Sequence, residues 1–308
     1  MIKVVIPDLV SNSYFPAVAA VELGFFKKEG LAAEVELIYP VDACYRALRD
    51  GRAHFVGGSA HSAPSAFPEW RGVKLLAALA QGMYWFLVLR VDIGAKRGDL
   101  NAVKGRRIGA APLVDLGLKR LLAEAGIDLE RDRVTITPVP GMAGSGISFG
   151  VNAAKALEEG KIDGFWANGM GAEVAVRRGV GTVILDVRRG DGPKSCFHYT
   201  CPALATTSEL LARAPETAAA AVRAVVNAQR ALKADVGLAA QVGARVFPAF
   251  EAELIADVVA RDLPYYDATI SPDFFRNMTR FATEVGLSSH EPAYADVVAS
   301  EFRPLWQA

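Results

Sequence analysis

Two stretches of the chain follow one pattern. Ala47–Ser59 reads ALRDGRAHFVGGS and Ala156–Asn168 reads ALEEGKIDGFWAN. Each is a helix end, Ala-Leu, two charged residues, a glycine, a basic residue and then an apolar strand. Gly51 and Gly160 stand where a helix stops on a left-handed residue, which glycine adopts without steric penalty. The strands His54–Gly57 and Asp163–Trp166 run into small or polar residues, Gly58-Ser59 and Ala167-Asn168. The surroundings repeat as well. A strand at Lys3–Ile6 precedes a helical region at Ser13–Leu23 that ends near Gly24, and a strand at Arg107–Ala110 precedes a helix at Leu116–Ala125 that ends at Gly126. Further strands follow near Ala33–Ile38 and Arg133–Thr137. A junction of this kind is common by itself; the recurrence of the whole order is the constraint. Strand–helix–strand–helix–strand, twice, calls for mostly parallel sheets flanked by helices, with right-handed crossovers.

After about Ser195 the pattern changes. Phe197–Thr207 reads as one strand, and helices follow at Ser208–Lys233, Leu238–Val246, Glu251–Arg261, Pro272–Val285 and Pro292–Phe302. One strand and several amphipathic helices cannot build a sheet of their own, so they are expected to pack back on the first lobe. The expected division is a first lobe of residues 1–88 and 195–308 and a second lobe of residues 89–194. Crossings near Trp85–Val91 and Val187–Lys194 would form a hinge, and hinged lobes close on ligands. The longest apolar window, Leu75–Val91, is short for a membrane span, and Gln81-Gly82 reads as a turn inside it. Membrane insertion is therefore not expected. Lys+Arg and Asp+Glu both number 34, so no net field favours nucleic acid. Cys44, Cys196 and Cys201 form no disulfide framework. Strand alternation would put Cys196 and His198 on one face and Cys201 on the other, which disfavours a metal site in CFHYTC. The opening MIKVVIPDL reads as a strand without a basic stretch or cleavage site. That gives a cytoplasmic chain if Met1 is the native start, or one from which a leader was removed.

In open parallel sheets, ligands sit beyond the carboxyl ends of the strands. The first such place is Ser11-Asn12-Ser13-Tyr14-Phe15-Pro16. Asn12 donates and accepts, Ser11 and Ser13 offer hydroxyls, one serine is expected to cap the following helix, and Tyr14 or Phe15 supplies an aromatic wall. The other strand-end candidates are Ser59 and His61 in GGSAH, Trp85, Leu113 and Asp115 in the loop from Ala110, Met142 in GMAGSG, Asn168 as the counterpart of Ser59, and His198 near the re-entry. Trp85 and Trp166 read equally as stacking surfaces or as core. GMAGSG lacks the spacing of a nucleotide loop. HExxH, GxSxG and paired strand-end carboxylates are not evident. No catalytic residue, metal or cofactor is assigned.

With these residues placed, the chain resembles the type II periplasmic-binding-protein fold, and within it the solute-binding proteins of ABC importers for sulfonates, nitrate, taurine and thiamine-pyrimidine precursors (NMT1/THI5-like). The residues that carry the likeness are Phe15–Leu37, Ala47–Val56, Val103–Ala110, Ala156–Trp166 and Ser208–Leu232. Two features depart from the family pattern. His54 stands where an acidic residue is usual, and the cysteine-rich motif of the related pyrimidine synthase is missing. The resemblance implies a periplasmic monomer that closes two lobes on a small planar or anionic organic molecule without turnover, served by permease and ATPase subunits. The alternative is a cytoplasmic enzyme on the same fold, a decarboxylase, lyase or pyrimidine-synthase-like protein, with His61, His198 and Asp115 as acid–base candidates.

Overall fold

The computed structural model describes residues 1–140 and 148–307; Met142 and the rest of GMAGSG lie outside them. The chain forms two compact units, Met1–Gly82 with His198–Ala308, and Met83–Phe197. The division falls at Gly82 rather than after residue 88 because the strand Phe86–Arg90 is hydrogen-bonded into the second sheet.

The first unit holds β1 (Ile2–Ile6), α1 (Phe15–Glu22), a short turn of helix at Phe25–Lys28, β2 (Ala33–Leu37), α2 (Val41–Arg49), β3 (Phe55–Ser59) and β4 (Val73–Ala78). The second holds β5 (Phe86–Arg90), β6 (Arg107–Ala110), α3 (Val114–Glu124), β7 (Thr135–Thr137), α4 (Phe149–Glu158), β8 (Gly164–Ala167), α5 (Gly169–Arg177) and β9 (Gly181–Asp186). The chain then returns to the first unit with β10 (Pro202–Thr207), α6 (Ser208–Arg213), α7 (Pro215–Ala234), α8 (Gly237–Val246), α9 (Ala249–Asp262) and α10 (Pro272–Glu284). The strand orders are β2-β1-β3-β10-β4 and β7-β6-β8-β5-β9. These are one topology written twice. In each sheet four strands run one way, and the fourth place in the order is taken by the strand through which the chain enters that unit, antiparallel to both neighbours. The buried strands are continuous apolar runs, Val4–Ile6 and Phe86–Leu89 among them, as sheets covered on both faces require.

The duplication reaches finer detail. His54 and Asp163 occupy matching places before β3 and β8. Lys3 N–H donates to His54 Nδ1 at 3.0 Å, and Arg107 N–H donates to the Asp163 carboxylate at 2.9 Å. The Arg107 side chain also holds that carboxylate, keeping it below the usual carboxylate range. His54 thus accepts in the first unit as Asp163 does in the second, but as a neutral acceptor with its proton on Nε2. Both sheets also carry a bulge at the same place, Leu76 in β4 and Ile184 in β9. A bulge leaves a backbone group outside the ladder. The Leu76 carbonyl accepts from Trp306 Nε1 at 2.9 Å, and the Ile184 carbonyl accepts from Gly98 N–H at 2.8 Å.

Several expected elements differ. Phe197–Thr207 is not one strand: Lys194–His198 is a 3-10 turn and the strand begins at Pro202, so the alternation argument for Cys196 and His198 lapses. Ser208–Lys233 breaks at Ala214, whose backbone (φ −140°, ψ 62°) lies outside the helical region, which the following Pro215 disfavours for it. Of Pro292–Phe302 only Tyr294–Val297 and Ser300–Phe302 are helical, because Val298 bridges Leu75 and covers the edge of β4. The first helix starts at Phe15 and has no side-chain cap, so neither serine plays that part.

Burial, with the nearby N-terminal ammonium, Arg213 and Lys3 adding to it, lowers the His54 pKa. The unfolded chain therefore binds the proton more readily, and stability falls as pH drops below about 6.5 towards the folded pKa. Thermal melts from pH 7.5 to 5 are expected to show a slope that His54→Asn, which keeps an acceptor but does not titrate, flattens. Trp306→Phe, which strands the Leu76 carbonyl, is expected to lower the unfolding free energy by about 1–3 kcal/mol in urea titrations.

Candidate functional site

In the first unit the polar groups gather where β1 ends. Asp8, Ser11, Asn12 and Ser13 are all buried. Asn12 is 1% exposed. Its Nδ2 donates to Asp262 Oδ2, and its backbone carbonyl accepts from the Tyr266 hydroxyl at 2.5 Å. Asp262 is the last residue of α9 and continues that helix's buried stripe of Leu254, Ile255, Val258 and Val259. The segment after α9 is stitched to the end of β4: Gln81 N–H donates to Tyr265 O at 2.7 Å and Ala78 N–H to Ala268 O at 2.9 Å. Asp262 and Tyr266 are therefore fixed relative to the strand end that carries Asn12. Ser11 Oγ and Asn12 Oδ1 are buried without a hydrogen-bond partner among the described residues. Tyr39 is pushed up to about 12, by burial first and by the Asp8 carboxylate second, and stays a hydroxyl donor.

The other first-unit candidates are held in the core, except His198, which is half-buried. Tyr14 is buried, and Phe15 meets Phe247 edge-on at 6.0 Å. Ser59 Oγ shares a 2.7 Å hydrogen bond with Ser62 Oγ, and its carbonyl accepts from Tyr45 at 3.1 Å. His61 is fully buried, with Nδ1 2.9 Å from Thr200 Oγ1 and its ring 5.5 Å from Phe281. His198 lies 5.5 Å from the Phe274 ring, and burial lowers its pKa.

In the second unit the strand ends carry aromatics. Tyr84 and Trp85 have ring centroids 5.0 Å apart, and Trp85 and Trp166 6.1 Å. Trp85 lies against the first turn of α3, where a Cβ on Gly117 would come within 3.2 Å of its ring. Trp166 Nε1 is buried with no partner among the described residues. Leu113 precedes α3 at φ 68°, a left-handed conformation that costs a branched residue about 1–3 kcal/mol and gathers at functional sites. Asp115 is paired with Lys119 at 2.5 Å. Asn168 caps α5, its Oδ1 accepting from Gly171 N–H at 3.1 Å. Met142 lies outside the described residues.

Sequence reasoning missed three groups: Asp262, Tyr266 and Arg188. The first was legible, since Val258, Val259 and Asp262 share one helical face and a carboxylate on an apolar stripe asks for a partner. Arg188 is only 4% exposed, with its guanidinium carbon 5.6 Å above the Tyr84 ring. Asp186 shapes the turn that carries it, accepting from Arg189 N–H at 3.3 Å and from its guanidinium at 2.8 Å. The reading of this segment as a crossing concealed a buried cation.

The family model described as NMT1/THI5 like matches residues 11–235, and the chain belongs to that family. Among solved structures, a protein of Bordetella bronchiseptica RB50 superposes with a TM-score of 0.78 at 18% identity, covering 99% of this chain and 96% of that one. The periplasmic aliphatic sulphonate binding protein SsuA of Escherichia coli gives 0.67 at 12% identity, covering 99% and 97%. The desulfurization enzyme DSZB gives 0.64 at 14% identity, covering 98% and 97%. Likeness at these identities is likeness of fold. No curated protein is a significant match. No helix among the described residues is long and apolar enough to cross a membrane.

The capping role of Asn168 is separable from any contact with a ligand. Asn168→Ala is expected to lower ligand-free stability by about 1 kcal/mol. Asn168→Ser, which keeps a cap, is expected to restore most of it, as read by urea unfolding.

Proposed function

We propose that this NMT1/THI5-like protein is the solute-binding component of an ABC importer, a periplasmic monomer that takes a small planar organic anion and releases it unchanged to permease and ATPase subunits. The observation that carries the reading is the set of buried polar atoms without a partner among the described residues at the carboxyl ends of strands: Ser11 Oγ and Asn12 Oδ1 in one unit, Trp166 Nε1 in the other. Each costs about 1–3 kcal/mol while unpaired, and a ligand group that pairs any one of them returns that energy as affinity. Trp85 and Tyr84 offer flat apolar surface. Arg188, already removed from water, is the charge suited to an anionic substituent. The Escherichia coli relative is a sulphonate-binding protein by its description, which agrees with an anionic ligand.

A second reading, an enzyme on the same fold, is favoured by one observation, the superposition on a desulfurization enzyme. The two readings part on turnover. Native mass spectrometry of the purified protein is expected to show a bound small molecule. Incubated with the protein, that molecule is expected to be recovered unchanged; recovery as a product supports the enzyme instead. At a hundred times its dissociation constant it should stabilise the fold by about 2.7 kcal/mol. Arg188→Gln is expected to weaken its binding roughly tenfold or more in calorimetric titrations.

A further inference from the structure

We infer that Asn12 presents a hydrogen-bond acceptor to the ligand, so that the group recognised at the end of β1 is a donor: an amine, ammonium, hydroxyl or ring N–H. The inference rests on the binding reading above and narrows its ligand class. It follows from which way the Asn12 amide must face. A carboxylate only accepts. The side-chain nitrogen of Asn12 therefore faces Asp262, since the flipped amide would bring two acceptors together. With one N–H of that nitrogen donated to Asp262 the amide is oriented, and Oδ1, which can only accept, is buried without a partner among the described residues.

Nothing nearby lets the amide turn. The Tyr266 hydroxyl holds the Asn12 carbonyl at 2.5 Å. The buried stripe of α9 holds Asp262, itself 1% exposed. Ser11 Oγ, also buried and unpartnered, can donate or accept and so adapts to whatever the ligand shows it. Asn12 cannot adapt. A ligand made only of acceptors would leave Oδ1 unpaired and face a buried oxygen of like polarity. Sites built to hydrogen-bond a ligand group discriminate strongly against analogues that lack it, because their own buried groups are then stranded. Asp262 is in this sense a positioning residue: it sets specificity through Asn12.

The test uses the full chain and pairs of compounds in which an amino group is replaced by a methyl of similar size: 2-aminoethanesulfonate against propane-1-sulfonate, 4-aminobenzoate against 4-methylbenzoate, and 4-aminopyrimidine against 4-methylpyrimidine. Calorimetric titration is expected to show the amino member binding at least tenfold tighter in every pair that binds. Asp262→Asn, which frees the Asn12 amide to turn, is expected to shrink that preference to about threefold or less; the wild-type preference stands as a test by itself if the variant does not fold. Equal or tighter binding of the methyl members overturns the inference and leaves the binding reading intact. A ligand carried through purification that has no N–H or O–H does the same. If no compound binds and native mass spectrometry finds no carried ligand, the binding reading falls, and this inference with it.

Discussion

A parallel sheet covered by helices on both faces has no room for a polar side chain except at its ends. Along β1 and β3 the buried apolar side chains are Val4, Val5, Ile6, Phe55 and Val56. The first buried polar groups come where those strands stop, at Asp8, Ser11, Asn12 and Ser59. In the second unit Trp166 and Ala167 give way to Asn168, and Leu185 to Asp186 and Arg188. At these points the backbone leaves the ladder and helix N-termini begin, so hydrogen-bonding capacity and shelter from water coincide. The chemistry of the molecule is confined there by packing, before any ligand is considered.

The same constraint explains how the chain is threaded. Each sheet is completed by a strand that arrives from elsewhere, β5 in one and β10 in the other, and each is placed between two strands that run the opposite way. An antiparallel strand in the fourth place lets the chain change units without a long crossover. Beyond it, β4 and β9 become edges and both carry a bulge. An edge strand with a bulge exposes unpaired backbone, and the two units cover it differently. One uses the C-terminal segment and the Trp306 indole; the other uses the loop at Gly98. The long C-terminal tail is thus part of the sheet's hydrogen-bond accounting as well as its cover.

What could be read from the sequence was whatever repeats. The β-α-β-α-β order, the two-unit plan and the matching of Ser59 with Asn168 follow from the two copies of one junction, because identical spacing fixes identical local geometry. The failures came where tertiary contacts decide. Phe197 and His198 have strand-like neighbours but turn in a 3-10 helix ahead of Pro202. Residues 292–302 have helical composition but are spent on the edge of β4. Arg188 could have been found by extending the repeat. Gly82 and Gly190, both left-handed, close the equivalent segments LAQG and VRRG. Set side by side, they show an alanine at one place and an arginine at the other, a difference that the junction alone did not reveal. His54 against Asp163 is the same kind of difference, and there the departure from the family pattern was visible while its consequence, a neutral acceptor, was not.

Duplication supplies two similar platforms, and similar platforms by themselves would offer a ligand similar groups. The difference is made by what the repeat does not contain. In the first unit, Asp262 and Tyr266 come from α9 and the segment that follows it, and they bind the side chain and the backbone of Asn12 respectively. In the second unit no appended α-helix follows β9 among the described residues. The residue equivalent to Ser59 is spent as a helix cap, and the charged group is an arginine under an aromatic ring. One unit thus presents a fixed acceptor backed by a carboxylate, the other a cation and flat apolar surface. A sequence change in α9 would therefore alter what the first strand end recognises while leaving the shared architecture untouched, and that is a route by which members of one fold come to take different small molecules.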